Sequence, residues 1–305
     1  MTISRALTAT ATALATALLF APAPARAGHR GHNVTIHDDD DVKTCADLEI
    51  ELDDRPAARA EQSLTLPVDP GKALRVRIPE NSGARVRGAD RADFEIVLCK
   101  AAPSKAGLDA ITATHEGGTL SVRGPLDGDW VGYLIISAPK GAAMDVSGES
   151  GPIALSGLSG RVTVRSENGP ISVTDSSGDI DARAQNGPIS ARGDGGRLHL
   201  STENGPIAVA LSGSAWKGDG LDARAVNGPV TLAVPAGYRS GTSIESLGHS
   251  PFSCRGSACG GVRRTWDDDR KKLELGEGPV IVRLSTENGP VAVKTGATSG
   301  ESEED

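Results

Sequence analysis

Aromatic residues are scarce: three Phe, two Tyr and three Trp make 3% of a 305-residue chain. Few rings are on hand to stack on bases or sugars, which argues against a stacking-based nucleic-acid module. Basic runs are missing as well. The formal charge is −8 with no lysine or arginine cluster against it, a poor match to nucleic acid or anionic lipid. No stretch of the mature chain carries the periodicity of an amphipathic helix. Past the N-terminus, no apolar run approaches the roughly 20 residues that a membrane span needs. Cysteine is limited to Cys45, Cys99, Cys254 and Cys259.

The start of the chain reads as a secretory signal peptide over 1–27. Arg5 precedes an apolar stretch, and Ala25-Arg26-Ala27 is a small-x-small cleavage site before Gly28. Its removal takes away Arg5 and Arg26, moving the formal charge from −8 to −10. Export to the periplasm or beyond permits disulfides, and four cysteines allow three pairings. Cys45 with Cys99 and Cys254 with Cys259 is the favoured set. A zinc site on His249, Cys254 and Cys259 is the alternative, and it lacks a clear fourth ligand.

What the chain does have is glycine, 38 residues of it, and the glycine is periodic. It falls at 151, 160, 169, 178, 187, 196 and 205, always nine apart. Each interval carries two apolar residues spaced by two, as in Ile153 and Leu155, Val162 and Val164, Ile171 and Val173, or Ile180 and Ala182. That spacing is one face of a short strand, and the glycine marks a turn. Alternate beats open with Gly-Pro, so the unit is 18 residues with two unlike strands and two unlike turns. The expected fold is all-β: a parallel β-solenoid of two-stranded coils, right-handed because parallel crossovers are. Asn168, Asn186, Asn204, Asn227 and Asn288 precede turn glycines, where left-handed backbone is cheap for both residue types. Their amides are placed to form a ladder along the axis.

The expected segments follow. Residues 28–61 read as an acidic, His-containing linker and 62–296 as the solenoid. Within the latter, 62–140 form a looser cap, 141–236 the regular coils, 237–272 an insertion beside the core, and 273–296 the final coil. Residues 297–305 read as a disordered acidic tail. Ser212 to Gly220 reads as a loop carrying Trp216.

Four features in order carry a family resemblance. They are Leu66-Pro67-Val68-Asp69-Pro70-Gly71-Lys72-Ala73-Leu74-Arg75-Val76, then Arg85-Val86-Arg87-Gly88-Ala89-Asp90, a strand ending Ser137-Ala138-Pro139-Lys140, and the run of Asn-Gly-x-Ile turns. Over about 62–294 the chain resembles the bacterial family named "putative adhesin", exported β-solenoids of unknown function related to the GIN head domain. Members commonly have aspartate after the turn glycine, where this chain has proline. The resemblance implies surface adhesion and supplies no catalytic or binding residues.

Glu167, Glu203 and Glu287 recur at equivalent turn positions, which marks turn residues better than a unique acid–base pair. Calcium-binding nonapeptide repeats need a ligand on every beat, and most beats lack one. His29, His32, His37 and the aspartates 38–41 suit a metal-capturing tail, but an acidic linker explains them as well. His115 and His199 read as surface histidines. Arg165, Arg183 and Arg224 hold equivalent outward positions, with Ser201 interrupting, and could meet a repeating anionic polymer. Arginines balanced by nearby aspartates are the simpler account.

The sequence therefore describes a non-enzymatic, adhesin-like module of the cell envelope, with no cofactor implied. Its expected partner is an envelope protein or a polysaccharide, not nucleic acid. No integral span is expected, and end-to-end self-association is open to it. A calcium- or metal-responsive binding module and a polysaccharide-active β-helix enzyme are the alternatives.

Overall fold

A computed structural model describes residues 34–37, 42–52, 55–80, 82–125, 129–248, 250–267 and 270–296, all in one compact unit. The expected signal peptide, most of the His/Asp segment and the acidic tail lie outside these residues. Two large, mostly parallel sheets, of 11 and 12 strands, face each other in a solenoid-like arrangement. Aliphatic residues from both meet in one continuous core.

The register follows the beat. Ile153 pairs with Ile171, Ile171 with Ile189, and Ile189 with Ile207 in the 11-stranded sheet. Val162, Ile180 and Leu198 align likewise in the other. These residues are at most 3% exposed. Two buried aliphatics per level repeat on each sheet, as Ile153 and Leu155 or Val162 and Val164 do, so neighbouring levels bury one another's faces and none is stable alone.

The turns explain the glycines, and not as expected. Among the described residues Asp175 is the one non-glycine with positive φ, and Gly169, Gly187 and Gly205 are not left-handed either. The constraint is closeness. A Cβ at Gly169 would stand 2.2 Å from the Gly151 carbonyl oxygen, one at Gly187 2.4 Å from that of Gly169, and one at Gly205 2.3 Å from that of Gly187. The neighbouring asparagine amides bond from level to level. Asn186 donates to Asn168 at 3.1 Å, and Asn204 to Asn186, Asn227 to Asn204 and Asn288 to Asn227 at 3.0 Å. Prolines complete the turn. They lack an N–H, yet their carbonyls accept from the preceding level: Ile153 donates to Pro170, Ile171 to Pro188 and Ile189 to Pro206.

Two segments depart from expectation. Residues 237–272 do not sit beside the core. Ser240–Leu247 and Phe252–Arg255 extend the two sheets, and the later strands Glu277–Asn288 and Val291–Thr295 slot between them and the earlier coils. Val282, Leu284, Val291 and Val293 are more aliphatic than Thr242, Ile244, Phe252 and Cys254, so the better core-formers take the inner level. The stretch 34–56 is not a bare linker. Val34–His37, Glu49–Leu52 and Arg55–Pro56 form a small antiparallel sheet. Val42, Leu48, Ile50 and Leu52 pack against Cys99, Ala101, Val131, Tyr133 and Ile135. The strand Val131–Pro139 is thus covered on both faces: Leu134 and Ile136 belong to the main core, Tyr133 and Ile135 to this second one.

Both favoured disulfides are present, Cys45–Cys99 and Cys254–Cys259. The first ties the small sheet to the strand Asp93–Ala102. Beside it, the Asp47 carboxylate accepts from the backbone N–H groups of Lys43 and Thr44, which holds it below the usual carboxylate range. One short α-helix, Lys105–Ala110, was not expected; the Ser104 hydroxyl caps it by accepting from the Gly107 N–H. Trp216 does lie in the connection between the strands Ile207–Leu211 and Lys217–Asn227, although 217–220 of the expected loop are strand; its side chain is buried, the indole N–H donating to the Gly196 carbonyl at 3.0 Å.

Close approach predicts that Gly187→Ala lowers the melting temperature sharply, by an amount equivalent to about 2–3 kcal/mol. Gly141→Ala, where a Cβ meets nothing within 4 Å, should leave it unchanged. Equal effects in thermal denaturation would refute the close-packing account. Replacing Cys45 and Cys99 together by serine opens a link across 54 positions and should cost about 2–4 kcal/mol in urea unfolding. The five-position Cys254–Cys259 link should matter less.

Candidate functional site

Function on such a fold must lie on the outward residues, and the two sheets differ there. On the 12-stranded sheet, Asp145, Thr163, Asp181, His199 and Asp222 form one outward row. Ser147, Arg165, Arg183, Ser201 and Arg224 form the next. The structure does bring the expected arginines into one row, but each meets a carboxylate. Arg165 lies 3.4 Å from Asp145, which Arg77 also approaches at 3.7 Å. Arg183 places two bonds of 2.8 Å on Asp181, which raises the guanidinium pKa further, and Arg224 pairs with Glu287. Arg161 with Asp179 and Arg197 with Asp219 continue the pattern. Exposed pairs like these add at most about 1 kcal/mol of stability each. Their consequence is local neutrality: this face is a lattice of mixed charge and not a cationic strip.

The other expected groups are dispersed. Glu167 and Glu203 are separated by Gln185 at the intervening level, and Glu287 is engaged by Arg224. His199 lies 3.5 Å from Asp222 on the surface, and His115 is exposed on the strand Thr112–Glu116. Cys254 and Cys259 are bonded to each other and so hold no zinc; His249 lies outside the described residues. Among the described residues no three His, Cys, Asp or Glu side chains gather as a metal site would require.

The 11-stranded sheet has an outer face of another kind. Ala154, Ser172, Ser190, Ala208, Thr231 and Ala292 form its middle row. Exposed Pro170, Pro188, Pro206, Pro229 and Pro290 run along one side. On the other side Thr174, Arg192, Ala210, Ala233, Lys294 and Arg255 are register partners in turn. Between Arg192 and Lys294 the two alanines leave a shallow depression of about 300 Å³, floored by Ser190, Ala208 and Thr231. The sequence reading did not single out the cations beside the middle row. They stand two residues beyond it, but only Arg192 lies in the regular nine-residue run; Lys294 and Arg255 reach the face through the unexpected strand order.

No protein-family model and no curated protein matches the sequence. Solved structures are similar in part. A "putative cell adhesion protein" of Clostridium sporogenes shares 10% identity over 78% of this chain and 100% of its own, with a TM-score of 0.32. A "putative lipid binding protein" of Parabacteroides distasonis shares 12% over 77% and 96%, with a TM-score of 0.29. A "putative adhesin" of Bacteroides fragilis shares 12% over 77% and 97%, with a TM-score of 0.25.

Among the described residues one titratable group is far from its ordinary value. Burial pushes the Tyr238 phenol up to about 12 from 10.0. A raised folded-state value means that this contribution is whole below pH 10 and is lost as pH climbs from 10 toward 12. Tyr238→Phe should therefore flatten the fall of melting temperature across that window. An unchanged slope would contradict the assignment.

Proposed function

We propose that this chain is an exported, non-enzymatic interaction module of the cell envelope, adhesin-like in role. Its coils are read as two-stranded, about 18 residues long and right-handed. The observation that carries the proposal is the repetition of outward rows at strand spacing, about 4.8 Å. A rigid surface that repeats in one direction is complementary to an extended partner, such as a polysaccharide or an elongated envelope protein. The N-terminal export signature supports the location, and the two disulfides suit an oxidising compartment. The adhesin names of two similar structures accord with it.

The test is incubation of the purified, oxidised protein with envelope fractions and a polysaccharide panel, scoring retention and product together. Retention on envelope material without new reducing ends or released fragments is expected. Turnover of any polysaccharide, or retention on no fraction, would overturn the proposal.

A further inference from the structure

The geometry points to the outer face of the 11-stranded sheet, centred on the depression between Arg192 and Lys294, as a binding site for an acidic polysaccharide. This rests on the interaction-module reading and names its surface and ligand class.

The first ground is charge. The chain carries −8 overall, yet the strands Ile153–Ser156, Ile171–Thr174, Ile189–Gly193, Ile207–Leu211, Val230–Val234, Val291–Thr295 and Phe252–Arg255 contain no Asp or Glu. The cations on their outer face are Arg192, Lys294 and Arg255, all exposed. None takes part in an ion pair or side-chain hydrogen bond among the described residues. On the opposite face Arg77, Arg161, Arg165, Arg183, Arg197 and Arg224 are all matched by carboxylates. Nearby carboxylates do not supply the missing partner: Asp194 is taken by Lys217, and Asp175, in the turn after Thr174, bonds Arg192 through the backbone alone, its N–H donating to the Arg192 carbonyl at 2.9 Å. An acidic protein that keeps these seven adjacent strands free of acid and leaves their outward cations uncompensated has there a surface complementary to anions.

The second ground is shape. Arg192 and Lys294 are three strand steps apart, roughly 14 Å at 4.8 Å per step, and Arg255 is one step further. Ala210 and Ala233 keep the interval low, so a chain lying along the stack reaches all three cations without climbing over a side chain. Ser172, Ser190 and Thr231 offer hydroxyls at the floor, suited to sugar hydroxyls. The exposed prolines opposite present flat C–H surface. No aromatic side chain lines the depression, which leaves nucleobases without a stacking partner.

The test uses the oxidised full chain with polygalacturonate as ligand and dextran of similar length as the neutral control, followed by titration calorimetry at low and high salt. Polygalacturonate is expected to bind, more weakly as salt rises, and dextran is not. The Arg192→Ala/Lys294→Ala/Arg255→Ala triple variant should lose at least about tenfold in affinity at an unchanged melting temperature, because all three side chains are exposed. Ala210→Glu, which puts a carboxylate into the depression, should do the same. Arg165→Ala/Arg183→Ala/Arg224→Ala should bind as the parent does. Equal binding by parent and first triple variant, equal loss in both triple variants, or preference for dextran, an oligonucleotide or anionic vesicles would overturn the inference. Full retention of envelope material by the first triple variant would sink this site alone. Failure of the parent to retain any would sink the interaction reading.

Discussion

At each level of the stack a turn glycine lies so near a carbonyl of the level before it that a methyl group cannot fit. The added carbon would stand 2.0 Å from the Gly228 oxygen at Gly289 and 2.1 Å from the Gly205 oxygen at Gly228. This approach lets the short strands on both sides stay in register, keeps the backbone ladder through the proline carbonyls unbroken, and brings the asparagine amides within bonding reach. Packing then follows, because a fixed register delivers one aliphatic to the same place at every level. A side chain at the turn would separate levels on both sheets together, since they share it.

Much of this was legible in the sequence, because period and register are the same quantity in a stacked fold. The spacing of Ile153, Ile171, Ile189 and Ile207 states which residues are neighbours. The reason for the glycines was not legible: Asn-Gly also suits a left-handed turn, and only the distance between levels separates the two explanations. Order along the axis was equally hidden. Nothing in the sequence says that Val282 pairs with Leu221 across the intervening strands. Pro251 before Phe252 was the available sign that 237–272 rejoins the sheets, since its carbonyl accepts from Val291 as the other turn prolines' carbonyls do. The small N-terminal sheet was masked by composition, its few apolar residues lying among charges.

The candidate site divides along the same line. That Arg165, Arg183 and Arg224 share a row follows from the beat. That each meets a carboxylate depends on neighbours in adjacent rows and, for Arg224, on Glu287 arriving from 63 positions away. The uncompensated cations were invisible for the converse reason. Lys294 and Arg255 join Arg192 only through the interleaved strand order, so the charge contrast between the two faces is a property of the fold and not of any segment.

Hydrogen exchange resolved to single amides tests the stacking register most directly. The N–H groups of Ile171, Ile189, Ile207 and Val230 donate to Pro188, Pro206, Pro229 and Pro290, and the account predicts that they exchange slowest and as one group. Exchange of these amides as fast as that of Gly117 or Gly261, in exposed turns, would contradict it.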